Sequence, residues 1–194
     1  KFLRRTHHAL ADDAENLSFL DDKRLFVAGL QWQREIGQDE RHFVAGLVIL
    51  RAANDGALAL AVIDLADGKL VDVGSTYNSQ IRYGDDVITR IVHATEGGGL
   101  EELRGTVTAD INTIAEAMIE RHGINKEYIE CAVISGNTTM SHIFWGLDPG
   151  HIREEPYIPT VNSFPLWKAG TARLHINKQA PVYTLPCVAS YVGG

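Results

Sequence analysis

The stretch 57-ALALAVID-64 does most to constrain the fold. In an extended chain Leu58, Leu60 and Val62 share one face, and Ala57, Ala59, Ala61 and Ile63 share the other. Both faces are apolar, one of them built mostly from small side chains, which predicts a central strand covered on both sides. Turn signals bracket it. Asn54-Asp55-Gly56 precedes the run and Asp67-Gly68 follows it, which predicts neighbouring strands over 43–50 and 70–73 and a three-stranded start to the sheet.

Helical patterns come next. Asp85 and Asp86, after Gly84, favour a helix start, and Val87, Ile88, Ile91 and Val92 predict one apolar stripe through Ala94. A second helix is predicted over 100–122, with Leu103, Val107, Ile111, Ile114, Met118 and Ile119 at helical spacing and Gly123 in the left-handed cap position. Residues 129–135 read as a short buried strand leading directly into a helix carrying Met140, Ile143, Phe144 and Leu147 inward. The proline-rich remainder offers short strands near 172–176 and 182–185. Strands in a meander followed by alternating helices and strands indicate an α/β layer fold with a mixed sheet and flanking helices. The first 42 residues, with Asp21 and Asp22 placed to cap a helix, read as a helical attachment segment and residues 43–194 as the domain.

Bulk properties narrow the function. A net charge of -7 without a basic stripe speaks against nucleic acid. No run approaches the roughly 18 apolar residues of a membrane span, so a cytoplasmic protein is expected. The two cysteines, Cys131 and Cys187, are too few for a disulfide framework and read as buried free thiols. The eight histidines show no HExxH and no zinc-ligand spacing. A chain that begins at Lys1 and stops after Val192-Gly193-Gly194 is expected to be a fragment of a longer polypeptide.

Two segments are candidates for chemistry. In 135-SGNTTM-140, Gly136 permits a bend, Asn137 offers an amide, and Thr138 or Thr139 can cap a helix whose N–H groups would receive an anion. A plain capped turn uses the same letters. In 77-YNSQIRYGDDVITRI-91, Asn78, Gln80, Arg82 and Tyr83 form a polar cluster ahead of Asp85 and Asp86, whose carboxylates serve a water-bridged metal or simply a helix cap. His142 lacks a partner acid and reads as a helix-surface residue.

Together, 77-YNSQIRYGDDVITRI-91, 135-SGNTTMSHIFWGLDP-149, 155-EPYIPTVNSFP-165 and 185-LPCVASYVGG-194 resemble, in order, motifs of the ATP-dependent reductive activators of corrinoid proteins. The segment 12–30 resembles the linker that precedes their large domain. That resemblance implies the N-terminal lobe of an actin-like, ribonuclease H-like ATPase domain, in the superfamily of acetate and sugar kinases, heat-shock chaperones and actin. It implies ATP and Mg²⁺ as ligands, and reduction of cob(II)alamin to cob(I)alamin on a methyltransferase component as the activity. The partner would be a corrinoid protein, and the electron carrier a [2Fe–2S] cluster in a ferredoxin-like domain outside this chain, because two cysteines cannot supply its four thiolates. On the same basis Asn54, Asp55, Gly56, Gly136, Asn137, Thr138 and Thr139 are the candidate nucleotide-binding residues. The family's Asp-x-Gly-Thr-Thr turn is altered, with Ala52 in the place of the acid and Asn54 in that of the first glycine. No measurable Mg-ATP affinity is therefore expected of residues 1–194 alone. A different class of function, a non-catalytic module that contacts the corrinoid protein or a homodimer partner through an exposed apolar face, uses the same fold.

Overall fold

The computed structural model describes residues 45–51 and 56–187. The expected helix within 1–42, and Ala52, Asn54 and Asp55, lie outside the described residues. The described strands form one six-stranded mixed sheet in the order β3-β2-β1-β4-β6-β5. Strands β1 (Ala45–Arg51), β2 (Ala57–Asp64) and β3 (Leu70–Tyr77) make an antiparallel meander, with Val48 opposite Ala61 and Ala61 opposite Val73. Strand β4 (Ile129–Ile134) then runs parallel to β1, and β6 (Pro181–Thr184) parallel to β4, while the two-residue β5 (Trp167–Lys168) pairs antiparallel with β6. Strand β2 is internal, as its two apolar faces require, and Leu58, Leu60 and Val62 point into the core.

Strand β3 extends to Tyr77, four residues beyond the apolar run at 70–73. Asp72, Ser75 and Thr76 hide it from a hydrophobicity pattern. Gly74 explains its packing. A β-carbon there would lie 2.5 Å from Ile114 Cγ2 and 2.9 Å from Met118 Sδ, so the missing side chain lets a helix settle directly on the strand.

That helix is α2 (Gly99–His122), which follows α1 (Val87–Thr95) and precedes α3 (Thr138–Trp145). Its buried face carries Leu103, Val107, Ile111, Ile114 and Met118, packed on Leu60 and Val62 of β2 and Ile129 and Ala132 of β4. Each such side chain contributes roughly 1.5–3 kcal/mol by leaving water. Gly123 ends the helix at φ 62°, the left-handed cap predicted for it. At the other end, a β-carbon on Gly99 would fall 1.9 Å from the His93 carbonyl oxygen, so only glycine admits the close junction with α1.

Helix α1 differs from its predicted stripe. Val87 and Ile91 are buried, together with Ile152, but Ile88 and Val92 are exposed. Arg90 and Ala94 take the inner positions instead, because α1 lies in a corner between α2, α3 and the turn at Gly150–Ile152. Residues 172–176 are a turn rather than a strand. Arg173 sits at φ 60°, and α2 holds the segment with polar side chains: Arg104 donates to the Thr171 carbonyl at 3.1 Å, and Asn112 donates to the Arg173 carbonyl and accepts from His175 N–H, both at 2.9 Å. Among the described residues no helix is long and apolar enough to cross a membrane.

Candidate functional site

The candidate turn joins the end of β4 to α3, which packs against α2. Asn137 is the N-cap in extended conformation, and its side-chain oxygen accepts from Met140 N–H at 2.7 Å. Capping therefore falls to Asn137, not to Thr138 or Thr139 as the sequence allowed, and Thr138 becomes the first helical residue. Gly136 does not adopt a left-handed φ, and a β-carbon there would meet only ordinary contacts, 3.5 Å from Ser141 Oγ at the nearest, so the bend does not depend on glycine. Asn137, Thr138 and Thr139 are all 0% exposed. The Thr139 and Ser141 hydroxyls are buried without a hydrogen-bond partner among the described residues. The turn is thus a closed one whose own asparagine occupies the anion-receiving position.

A positive group that the hydrophobic pattern concealed lies beside it. Arg90 is fully buried, donates from Nε to the Gly84 carbonyl at 3.0 Å, and reaches Met140 Sδ with Nη1 at 3.6 Å. Burial pushes its pKa below the ordinary arginine value, while the Asp86 and Asp85 carboxylates oppose that shift. The guanidinium thus lies near the N-terminal end of α3, with the Asp85 and Asp86 carboxylates acting on it. Only the arginine within the stripe of α1 hinted at it in the sequence, and periodicity alone would have turned it outward.

The polar cluster at 77–91 is scaffold. Asn78 donates its backbone N–H to the Gly56 carbonyl at 2.9 Å, and its side chain accepts from Gln80 N–H at 3.0 Å. Gln80 is buried and donates to the Leu103 carbonyl at 2.8 Å, while Ser79 gives two 2.8 Å bonds to Asp110. Arg82 donates to Thr106 Oγ1 and lies 4.8 Å over the ring of Tyr83, which stacks in turn on His93. Asp86 closes a capping box with Thr89, and the bond from Thr89 N–H holds its carboxyl below the usual range. Of the two readings for Asp85 and Asp86, Asp86 takes the helix cap. Among the described residues no three His, Cys, Asp or Glu side chains converge on a point that could hold a metal ion. Gly56, of the opening turn, sits at the mouth of β2.

His142 corrects the expectation of a surface residue. It is 0% exposed, its Nδ1 lies 2.7 Å from the Thr138 carbonyl, and its Nε2 accepts from Val161 N–H at 3.3 Å. All eight residues of α3 are buried, because the irregular segment after Pro149 folds over the side that would otherwise face water. The two cysteines are free and half-buried, with burial pushing Cys131 up to about 11.

Residues 56–194 match the family model described as the RACo middle region. The chain belongs to that family. This RACo middle-region chain is 32% identical over 133 residues to the corrinoid activation enzyme RamQ of Eubacterium limosum, covering 67% of the chain and 22% of that protein. Its fold is similar to that of a solved reductive activator for corrinoid, iron-sulfur protein, with a TM-score of 0.77 and 39% identity over 80% of this chain and 25% of the other. The RACo middle-region chain therefore spans about a quarter of the length of these relatives.

Proposed function

We propose that this chain is the middle portion of an ATP-dependent reductive activator, acting in the cytoplasm, that returns cob(II)alamin to cob(I)alamin on the corrinoid component of a methyltransferase system. The observation that carries the reading is the match in both sequence and fold to a solved corrinoid activator, 39% identity at a TM-score of 0.77. In this reading the mixed sheet is the first lobe of an actin-like nucleotide domain. The junction of β4 and α3, with Gly136, Asn137, Thr138 and Thr139, forms one wall of the ATP cleft, and Asn54, Asp55 and Gly56 would be nucleotide-binding residues as well. The buried Arg90 and the α3 N-terminus supply the positive potential for a polyphosphate. Binding energy from ATP would drive the rearrangement that makes an unfavourable reduction possible, and the electron would come from a four-thiolate iron–sulfur domain, which two cysteines cannot build.

Among the described residues no three His, Cys, Asp or Glu side chains converge, and the Asn137 side-chain oxygen caps its own helix. That specific observation favours a second reading, in which this lobe serves as a binding module for the corrinoid protein or a second copy. One experiment separates them. The intact activator is mixed with its corrinoid protein and a low-potential reductant, and the cob(II)alamin and cob(I)alamin absorbance bands are followed with and without Mg-ATP. Conversion that depends on ATP is expected. Equal conversion without nucleotide would overturn the ATPase reading, and co-elution of the two proteins without nucleotide would then mark the binding module.

A further inference from the structure

His142 does more than fill space under α3. Its Nδ1–H donates to the Thr138 carbonyl at 2.7 Å, which leaves Nε2 unprotonated to accept Val161 N–H at 3.3 Å. The next residue, Asn162, accepts Cys187 N–H through its carbonyl at 2.8 Å, and the Thr138 hydroxyl donates to the Cys187 sulfur. The four contacts close a ring through three chain segments: the first turn of α3, the loop at 160–162, and the residues after β6. Two further contacts lie beside it. Thr160 Oγ1 donates to the Asp148 carbonyl at 2.7 Å, and Phe164 meets the His142 ring edge-on with centroids 5.7 Å apart. Beyond this base the loop has no strand or helix, and it carries Tyr157 and Ile158 largely in solvent, at 50% and 60% exposure.

We propose that His142 is a positioning residue, the pin of a hydrogen-bonded ring that fixes the irregular 148–165 segment on the first turn of α3. A helix cap or a packed aromatic would hold α3 alone. The neutral imidazole, donating on one side and accepting on the other, links that turn directly to the loop. A movement of the α3 turn is therefore passed to the loop that displays Tyr157 and Ile158.

The geometry makes the pin sensitive to protonation. Nε2–H would face the Val161 N–H, donor against donor, in a site that excludes water. Burial pushes His142 below its ordinary value; the Thr138 carbonyl and then the facing Asp148 carboxylate oppose that shift. The Cys187 thiol on the far side of Thr138 is itself held protonated by burial. Because the folded-state pKa is depressed, the contribution of His142 is complete above the ordinary histidine value of 6.5 and is lost as the pH falls below it.

Amide hydrogen exchange on the intact protein tests this, reading protection of Val161 against protection of Leu60 and Val62 in the sheet. His142→Asn keeps a donor near the Thr138 carbonyl but cannot reach Val161, whereas His142→Gln keeps an acceptor at the reach of Nε2. Loss of one net hydrogen bond predicts that His142→Asn lowers Val161 protection roughly three- to tenfold with the sheet unchanged. His142→Gln should retain more of it. In the unsubstituted protein the ratio of Val161 to sheet protection should fall between pH 8 and pH 4, a readout that needs no variant to fold. Val161 as protected in His142→Asn as in the parent, Asn and Gln variants equally protected, or a ratio constant across that pH range would each overturn the proposal.

Discussion

The Asn137→Ala substitution asks whether the most suggestive turn in the sequence binds a ligand or only caps a helix. The side-chain oxygen of Asn137 accepts the Met140 N–H at 2.7 Å, and the residue is 0% exposed. Alanine leaves that N–H without its acceptor in a place water does not reach. A lost cap costs about 1 kcal/mol in typical helices. A donor left unsatisfied in the interior costs about 1–3 kcal/mol, so the two together set an expectation near 2 kcal/mol. For a chain of this size that corresponds to a fall in Tm of roughly 4–8 °C. Asn137→Ser supplies a hydroxyl that caps almost as well and should recover at least half of the loss. Thermal denaturation followed by circular dichroism measures both variants, and ATP-dependent corrinoid reduction by the intact activator measures their function. If Asn137 only caps, activity of the Ser variant returns with its stability. If its amide also meets a nucleotide in the closed cleft, Ser restores Tm but not rate. A change in Tm below 1 °C for Asn137→Ala would refute the reasoning, because it would mean that the N–H finds another acceptor at no cost.

Two further outcomes follow from the packing and the titration of buried groups. Gly74→Ala forces α2 off β3 by most of an ångström to relieve the 2.5 Å approach to Ile114 Cγ2, and should cost about 1–3 kcal/mol in urea denaturation. Ile114→Ala, which removes that methyl, should cost less in the Gly74→Ala background than alone, and strict additivity would contradict the contact. Burial raises Cys131 from 9.0 to about 11, so the folded state holds its proton where the unfolded state has lost it. Stability should therefore fall as the pH climbs through that interval, and at pH 8 iodoacetamide should modify Cys131 far more slowly than it does after denaturation, as mass spectrometry would show.

The parts of the fold written in local pattern were legible. Helix α2 ends at the glycine that its cap demands, and β2 lies inside the sheet because alanines and leucines alternate along it. What escaped was decided by partners distant in sequence. Strand β3 continues through Asp72, Ser75 and Thr76 because α2 covers Gly74, a condition no local window contains. His142 was read as outward-facing because helical periodicity assumes one wet side, and the irregular segment after Pro149 removes that side from α3. The turn at 172–176 looked like a strand because Ala172, Leu174 and Ile176 alternate, and all three are indeed buried. The backbone beside them, however, at Thr171, Arg173 and His175, bonds to the side chains of Arg104 and Asn112, and Ala172 and Leu174 donate to the nearby Lys168 and Ala169 carbonyls. Of the candidate site, the strand-to-helix turn was legible, but the cap expected at Thr138 or Thr139 falls on Asn137. The closure of the turn by Asn137 itself was not legible, since a cap and an anion receiver share one sequence.

The grip of α2 on the 171–175 turn bears on the order in which the chain is assembled. Asn112 and Arg104 meet carbonyls some sixty positions later in the chain, and the same helix face buries Leu174 and Ile176. During synthesis the helix must therefore wait, its polar arms solvated and its apolar side incomplete, until the tail emerges. The tail in turn has almost no regular structure with which to organise itself. It acquires its path by being laid onto a finished helix, as a strap is laid over a post, so the turn at 171–175 is specified less by its own propensities than by side chains encoded before it.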